Sequence, residues 1–214
     1  MPSRNGPGHV EPMTVFEEAA HAQGYRRIAG LDEVGRGTLA GPVVAAAVLF
    51  ESKTAITGIR DSKQLSFQQR DDLYPIIFQE AVAIAVGVVE AAVIDQINIL
   101  QATRLAMQKA IEQLAIQPDY LLLDAITLPL PIPQRSIIKG DQLSVSIAAA
   151  SIVAKVTRDR LMSGYHEEYP QYNFLAHKGY GTLEHRKQIQ KHGPCQIHRK
   201  TFRGVCDIDQ LYFL

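Results

Sequence analysis

Two apolar runs of strand length in this chain end on carboxylates, and that narrows what it can fold into. Ile28-Ala29-Gly30-Leu31 leads directly into Asp32-Glu33, and Tyr120-Leu121-Leu122-Leu123 leads into Asp124. Runs this short and this apolar read as buried strands, so the acids stand at strand mouths. A fourth acid, Asp141, follows in Lys139-Gly140-Asp141. If the two strands are parallel neighbours, their carboxyl ends coincide, and open α/β sheets build sites at that edge. Two carboxylates about 5 Å apart repel by about 3 kcal/mol at an effective dielectric of 20. Protons or hard divalent cations relieve this, and an oxygen-only donor set favours magnesium or manganese.

The remaining pattern alternates strands with helices. Residues 41–50 read as a strand that follows the turn Gly35-Arg36-Gly37, and residues 81–89 as a continuous apolar strand buried at the centre of a sheet. Helices are expected over residues 66–80, 144–166 and 182–192. Another is expected from an Asp95 cap to about residue 115, with Leu100, Met107, Ile111 and Leu114 on one face. Pro129, Pro131 and Pro133 exclude regular structure before a short strand at 135–138. The expectation is one α/β domain over residues 25–214. It includes a small helical extension from about residue 165, and a leader of residues 1–24 precedes it without an assigned role.

With 46% hydrophobic residues in 214, the chain can bury one good core. No window approaches the roughly 20 apolar residues needed to span a bilayer, and the first residues lack an apolar signal core. A cytoplasmic protein with reduced thiols at Cys195 and Cys206 is therefore expected. Lysines and arginines balance acids at 22 each, yet unevenly: residues 151–204 carry ten basic and four acidic side chains, and residues 71–124 two basic and eight acidic. That suits a polyanion-binding face beside an acidic body, although an ordinary solvated surface gives the same counts.

Several motifs sharpen the picture. Neighbours on a strand point to opposite faces, so Asp32 and Glu33 share a metal only if the chain leaves strand geometry or Glu33 offers its carbonyl. The glycines of Gly35-Arg36-Gly37 let amide N–H groups face a phosphate or a sugar hydroxyl. Ser144, Ser151, Lys155 and Arg158 share one helix face that suits a phosphodiester backbone; a solvated side with a Lys155–Asp159 pair fits equally. Tyr180, between Gly179 and Gly181 just before a helix, can stack on a base or sugar or plug a loop. The cluster His198-Arg199-Lys200-Thr201-Phe202-Arg203 reads as a phosphate-binding patch or a polar tail.

In this order and spacing the motifs resemble bacterial type II ribonuclease H over about residues 28–205. The match rests on residues 30–37, Leu39-Ala40-Gly41-Pro42-Val43-Val44, Asp61-Ser62-Lys63, Lys139-Gly140-Asp141, residues 148–159 and His177-Lys178-Gly179-Tyr180-Gly181-Thr182. The resemblance implies a ribonuclease-H-like fold, a mixed five-stranded sheet flanked by helices. It implies a Mn2+- or Mg2+-dependent endoribonuclease, monomeric, acting on RNA–DNA hybrids and on ribonucleotides embedded in duplex DNA. A two-metal mechanism would leave 5′-phosphate and 3′-hydroxyl ends. By the same resemblance Asp32, Glu33 and Asp124 are metal ligands and Asp141 is the fourth catalytic acid. Gly35, Arg36 and Gly37 read the ribose 2′-hydroxyl, Tyr180 packs against the following sugar, and Lys63, Ser151 and Lys155 contact phosphates. Two positions depart from the pattern: Thr38 replaces a usual proline, which is expected to loosen the turn, and Ala125 replaces a frequent glycine. Two rivals share these residues: another nuclease of the fold, of junction or strand-transfer type, and a non-catalytic hybrid-binding module.

Overall fold

The computed structural model describes residues 13–51, 56–59 and 61–206. In chain order the main elements are α1 (Val15–Ala22), β1 (Ile28–Val34), β2 (Val43–Phe50), α2 (Phe67–Glu80), β3 (Ala81–Val89), α3 (Ala91–Glu112), β4 (Tyr120–Asp124), β5 (Gln134–Ile137), α4 (Val145–Glu168), α5 (Phe174–His177) and α6 (Leu183–His192). The strands form one mixed sheet in the order β3-β2-β1-β4-β5. β1 runs antiparallel to β2 and parallel to β4, and β4 runs parallel to β5.

Side-chain alternation divides the sheet into two cores. Val43, Ala45, Ala47 and Leu49 of β2 pack with Ala102, Ala106, Met107 and Ala110 of α3. Val44, Ala46, Val48 and Phe50 pack with α2 and with Ala148, Ala149 and Ile152 of α4. The alanines allow close approach. At Gly30 an added Cβ would lie 2.2 Å from the Ser146 carbonyl carbon, so α4 sits directly on the β1 backbone. A third core of Leu39, Ala40, Met162, Tyr172, Phe174 and Ile189 joins the C-terminal helices to the segment after β1.

Three expectations change. β3 is an edge strand rather than a central one, and one row of its side chains is only partly covered. Asp95 does not cap α3: its carboxylate accepts the backbone N–H groups of Lys200 and Thr201, at 2.8 and 3.0 Å. The cap inside that helix is Asn98, in the left-handed region (φ 66°), whose Oδ1 accepts from the N–H groups of Leu100 and Gln101. Leu100 consequently points outward, while Met107, Ile111 and Leu114 are buried as the pattern requires.

The described part of the N-terminal segment is docked on the domain. Phe16 and Ala20 pack with Ile28, Leu122 and Ile147. Glu17 accepts from the hydroxyls of Ser144 and Ser146 and from the Ser146 N–H. Its negative charge lies at the positive end of a 24-residue helix. Residues 1–12 and 207–214 of the expected leader and extension lie outside the described residues.

Candidate active site

β1 and β4 carry their acids to one place because they are parallel and in register, with Leu31 opposite Leu123. The next residues, Asp32 and Asp124, have the parity of Gly30 and Leu122 and so turn to the α4 side of the sheet. Asp141 arrives from the turn after β5, where the Gly140 N–H donates to Asp124 Oδ1 at 2.8 Å. Carboxylate oxygens of Asp32, Asp124 and Asp141 lie within 4.8 Å of one another. Glu33 is outside that group. Its Oε1 pairs with the Arg36 guanidinium at 3.1 Å, while its buried Oε2 has no hydrogen-bond partner.

Burial sets the electrostatics. It drives the Asp32 carboxyl well above the ordinary range, helped by Glu33 and Asp124 and opposed by the Ser151 hydroxyl. Burial also raises Glu33, against the pull of Arg36. Asp141 is pushed up to about 6 by burial and then by Asp61 and Asp124. Burial pulls the Lys63 ammonium down, but Asp32, Asp141, Asp61 and Asp124 together carry it above its usual value. Lys63 Nζ stands 3.7 Å from Asp141 Oδ2. A pocket of crowded hard oxygen atoms, one of them buried without a donor, fits divalent magnesium or manganese.

The supporting residues are distributed unequally. Ser151 lies beneath the acids, 3% exposed, with its hydroxyl 2.8 Å from that of Ser62. Lys155 is committed to Asp159 at 2.8 Å, the pairing that the sequence allowed. Ser144 and Arg158 are fully buried, so the four-residue stripe on α4 is not a solvent-facing phosphate track. Tyr180 is 43% exposed on a loop fixed by Gly179, whose carbonyl accepts from the Leu39 N–H.

Gly35 has φ 94°, and a Cβ there would fall 2.3 Å from Arg158 Nε; beside Gly37 a Cβ would meet nothing within 4 Å. Thr38 tightens this turn instead of loosening it. Its hydroxyl donates to the Gly35 carbonyl and accepts from Arg158. The cluster from His198 to Arg203 is no loose tail either, because His198 and Arg199 are buried.

A family profile described as Ribonuclease HII matches residues 29–205, which takes in the sheet, the acids and the Tyr180 loop. The chain belongs to the ribonuclease HII family. It is 58% identical over 193 residues to ribonuclease HII of Bacillus pumilus, covering 90% of this chain and 76% of that one. It is 56% identical over 191 residues to ribonuclease HII of Geotalea uraniireducens, covering 89% and 88%. The crystal structure of ribonuclease H2 from Pyrococcus horikoshii superposes with a TM-score of 0.72 at 25% identity, covering 87% of this chain and 98% of that one. As a ribonuclease HII the chain is a metal-dependent ribonuclease, a hydrolase.

Two site residues escaped the sequence reading. Asp61 is buried beside Asp141 and accepts from the Lys63 N–H at 2.9 Å. It belongs to the Asp61-Ser62-Lys63 segment, but nothing in one sequence says which side chain of such a turn faces inward. Arg199, in the cluster that reads as a phosphate-binding patch or a polar tail, is buried instead, and composition cannot reveal a buried guanidinium.

Proposed function

We propose that this ribonuclease HII, which as a family member hydrolyses the RNA strand of RNA–DNA hybrids, also nicks duplex DNA at a single embedded ribonucleotide. The observation that carries the reading is a cluster of three carboxylates next to a glycine turn with an open face. The 2′-hydroxyl is the only chemical handle that separates a ribonucleotide from its DNA neighbours. Free N–H groups on a rigid turn bind that hydroxyl without touching base edges, so cleavage should depend little on sequence.

Asp32, Asp124 and Asp141, with Glu33 through its free Oε2, would hold the ions. Bound there, two divalent cations supply an activated water and charge stabilisation at the departing 3′-oxygen. The protein's own groups prepare that chemistry. Ser151 and the Glu33 N–H orient Asp32, the Gly140 N–H orients Asp124, and Lys63 offsets negative charge at Asp141. Arg36, held by Glu33, places a cation beside the turn for an incoming phosphate. Tyr180 offers its exposed ring to the next sugar. All these groups come from one chain, in keeping with a monomer, and the free thiols Cys195 and Cys206 suit a reducing cytoplasm.

End-labelled duplex DNA with one ribonucleotide, incubated with magnesium or manganese beside an all-DNA control, tests the reading. One nick at the ribose is expected, with 5′-phosphate and 3′-hydroxyl ends. Asp124→Asn should lose at least about a thousandfold in turnover, the order expected for a central electrostatic group, while still binding duplex. Equal cutting of both duplexes would favour a junction or strand-transfer nuclease; binding without any product would favour a hybrid-binding module.

A further inference from the structure

Arg199 is 0% exposed and forms no ion pair with a carboxylate among the described residues. All four of its side-chain hydrogen bonds go to backbone carbonyls. Nη2 donates to Gly35 O at 2.6 Å and to Gly41 O at 2.9 Å, Nη1 to Arg36 O at 2.9 Å, and Nε to Gly41 O at 3.0 Å. The planar guanidinium fork therefore spans both ends of the turn, a geometry that a lysine ammonium cannot reproduce.

The consequence follows from peptide geometry. No peptide bond among the described residues is cis, and in a trans peptide the N–H points opposite to the C=O. Holding the Gly35 and Arg36 carbonyls inward turns the next two N–H groups, of Arg36 and Gly37, outward together. Neither N–H has a partner in the hydrogen bonds of the described residues. They emerge beside Gly37, the position where an added Cβ would meet open space.

We infer that Arg199 is a positioning residue for sugar selectivity: by clamping the Gly35 and Arg36 carbonyls it aims two consecutive free amides at the ribose 2′-hydroxyl. This inference rests on the proposed reading of the turn. The clamp is itself anchored at a distance. Asp95 on α3 fixes the backbone of Lys200 and Thr201, the Arg199 N–H donates to Leu39 O, and the guanidinium lies 5.0 Å from the Phe202 ring. Arg158 braces the other side of the turn through Thr38, Ala40 and Pro42, and reaches Lys178 ahead of Tyr180.

The test measures selectivity rather than activity alone. Full-length wild type, Arg199→Lys, Arg199→Met and Asp95→Asn are titrated by fluorescence anisotropy with calcium in place of magnesium. Two duplexes are compared, one all-DNA and one with a single ribonucleotide. Wild type should prefer the ribonucleotide duplex. Both Arg199 variants should lose about tenfold of that preference, the size of one to two hydrogen bonds, with affinity for all-DNA duplex nearly unchanged. Asp95→Asn, which keeps the guanidinium but loosens its segment, should lose about two- to fivefold by the same reasoning. It carries the test if the Arg199 variants do not fold. A merely structural role would weaken both duplexes equally and leave the ratio intact, which overturns the inference while sparing the reading of the turn. A wild type without any ribose preference overturns both.

Discussion

Asp32 holds two properties in opposition: it stands in the carboxylate cluster proposed to hold cations, and it is a buried acid that the fold alone cannot welcome. Its folded-state pKa is raised by burial, then by Glu33 and Asp124, so the folded protein binds this proton more tightly than the unfolded chain does. Its contribution to stability is therefore present at low pH and lost as pH rises through the raised value; Asp141 behaves likewise, its loss beginning near the ordinary value of 3.8 and complete just above about pH 6. In metal-free protein at pH 8, Asp32→Asn should raise the Tm by a few degrees, since about 1 kcal/mol moves a chain of this size by roughly 2–4 °C. The amide retains the acceptor for the Glu33 N–H. Manganese should then stabilise the parent much more than the variant, as read by thermal unfolding with and without the ion. A variant that melts lower than the parent without metal would mean that Asp32 carries structural hydrogen bonds outweighing its charge. At the same scale, Ala125 adopts φ 49°, a left-handed conformation that glycine would take more readily.

Elements place these acids through close contact rather than through side-chain bulk. Gly30 lets the start of α4 rest on β1, and α4 in turn carries Ser151 beneath Asp32. Gly30→Ala must displace the Ser146 backbone, so it should cost at least about 2 kcal/mol, the range for overpacking a tight interface. Thermal unfolding checks this, and an unchanged Tm would show that helix and strand can separate cheaply. Much of this level was legible in the sequence. The runs ending at Asp32 and Asp124, the length of β3 and the Ser144 and Thr182 caps follow from local periodicity and capping chemistry. What escaped was non-local. β3 reads as central because its apolar run is unbroken, yet its place at the edge depends on pairing with β2 alone. Asp95 has the chemistry of a cap, and only tertiary structure shows it accepting instead from residues 200 and 201, more than a hundred positions away. Likewise the meeting of Asp32 and Asp124 at one sheet edge was legible, whereas the turning of Glu33 toward Arg36 and the burial of Arg199 depend on neighbours that one sequence does not name.

Across the whole molecule, the C-terminal part is tied together by neutral histidines that link α6 to the loop before it and to the segment after it, and their tautomers are fixed by their partners. Tyr180 O accepts from His185 Nδ1, so His185 Nε2 must accept from His198 Nε2, at 3.0 Å. His198 Nδ1 then accepts from the Cys195 N–H at 2.9 Å. A proton on either ring leaves two donors facing each other. Burial accordingly depresses both pKa values to about 4. The unfolded chain takes up these protons near 6.5 and the folded one resists, so stability is complete above about pH 6.5 and falls as pH drops toward 4. His198→Gln should flatten the fall in Tm between pH 7.5 and 5 relative to wild type, the acids being common to both proteins. Equal slopes would place the acid sensitivity elsewhere.

The bond between Arg199 and Gly35 joins residues 164 positions apart. A ribosome releases the strand bearing Asp32 and its glycine turn long before it makes the arginine that sets them. On a growing chain, any early encounter with nucleic acid would therefore meet acids without a trained ear for ribose. On the proposed reading of the turn, discrimination is acquired late in synthesis, when the distant segment folds back.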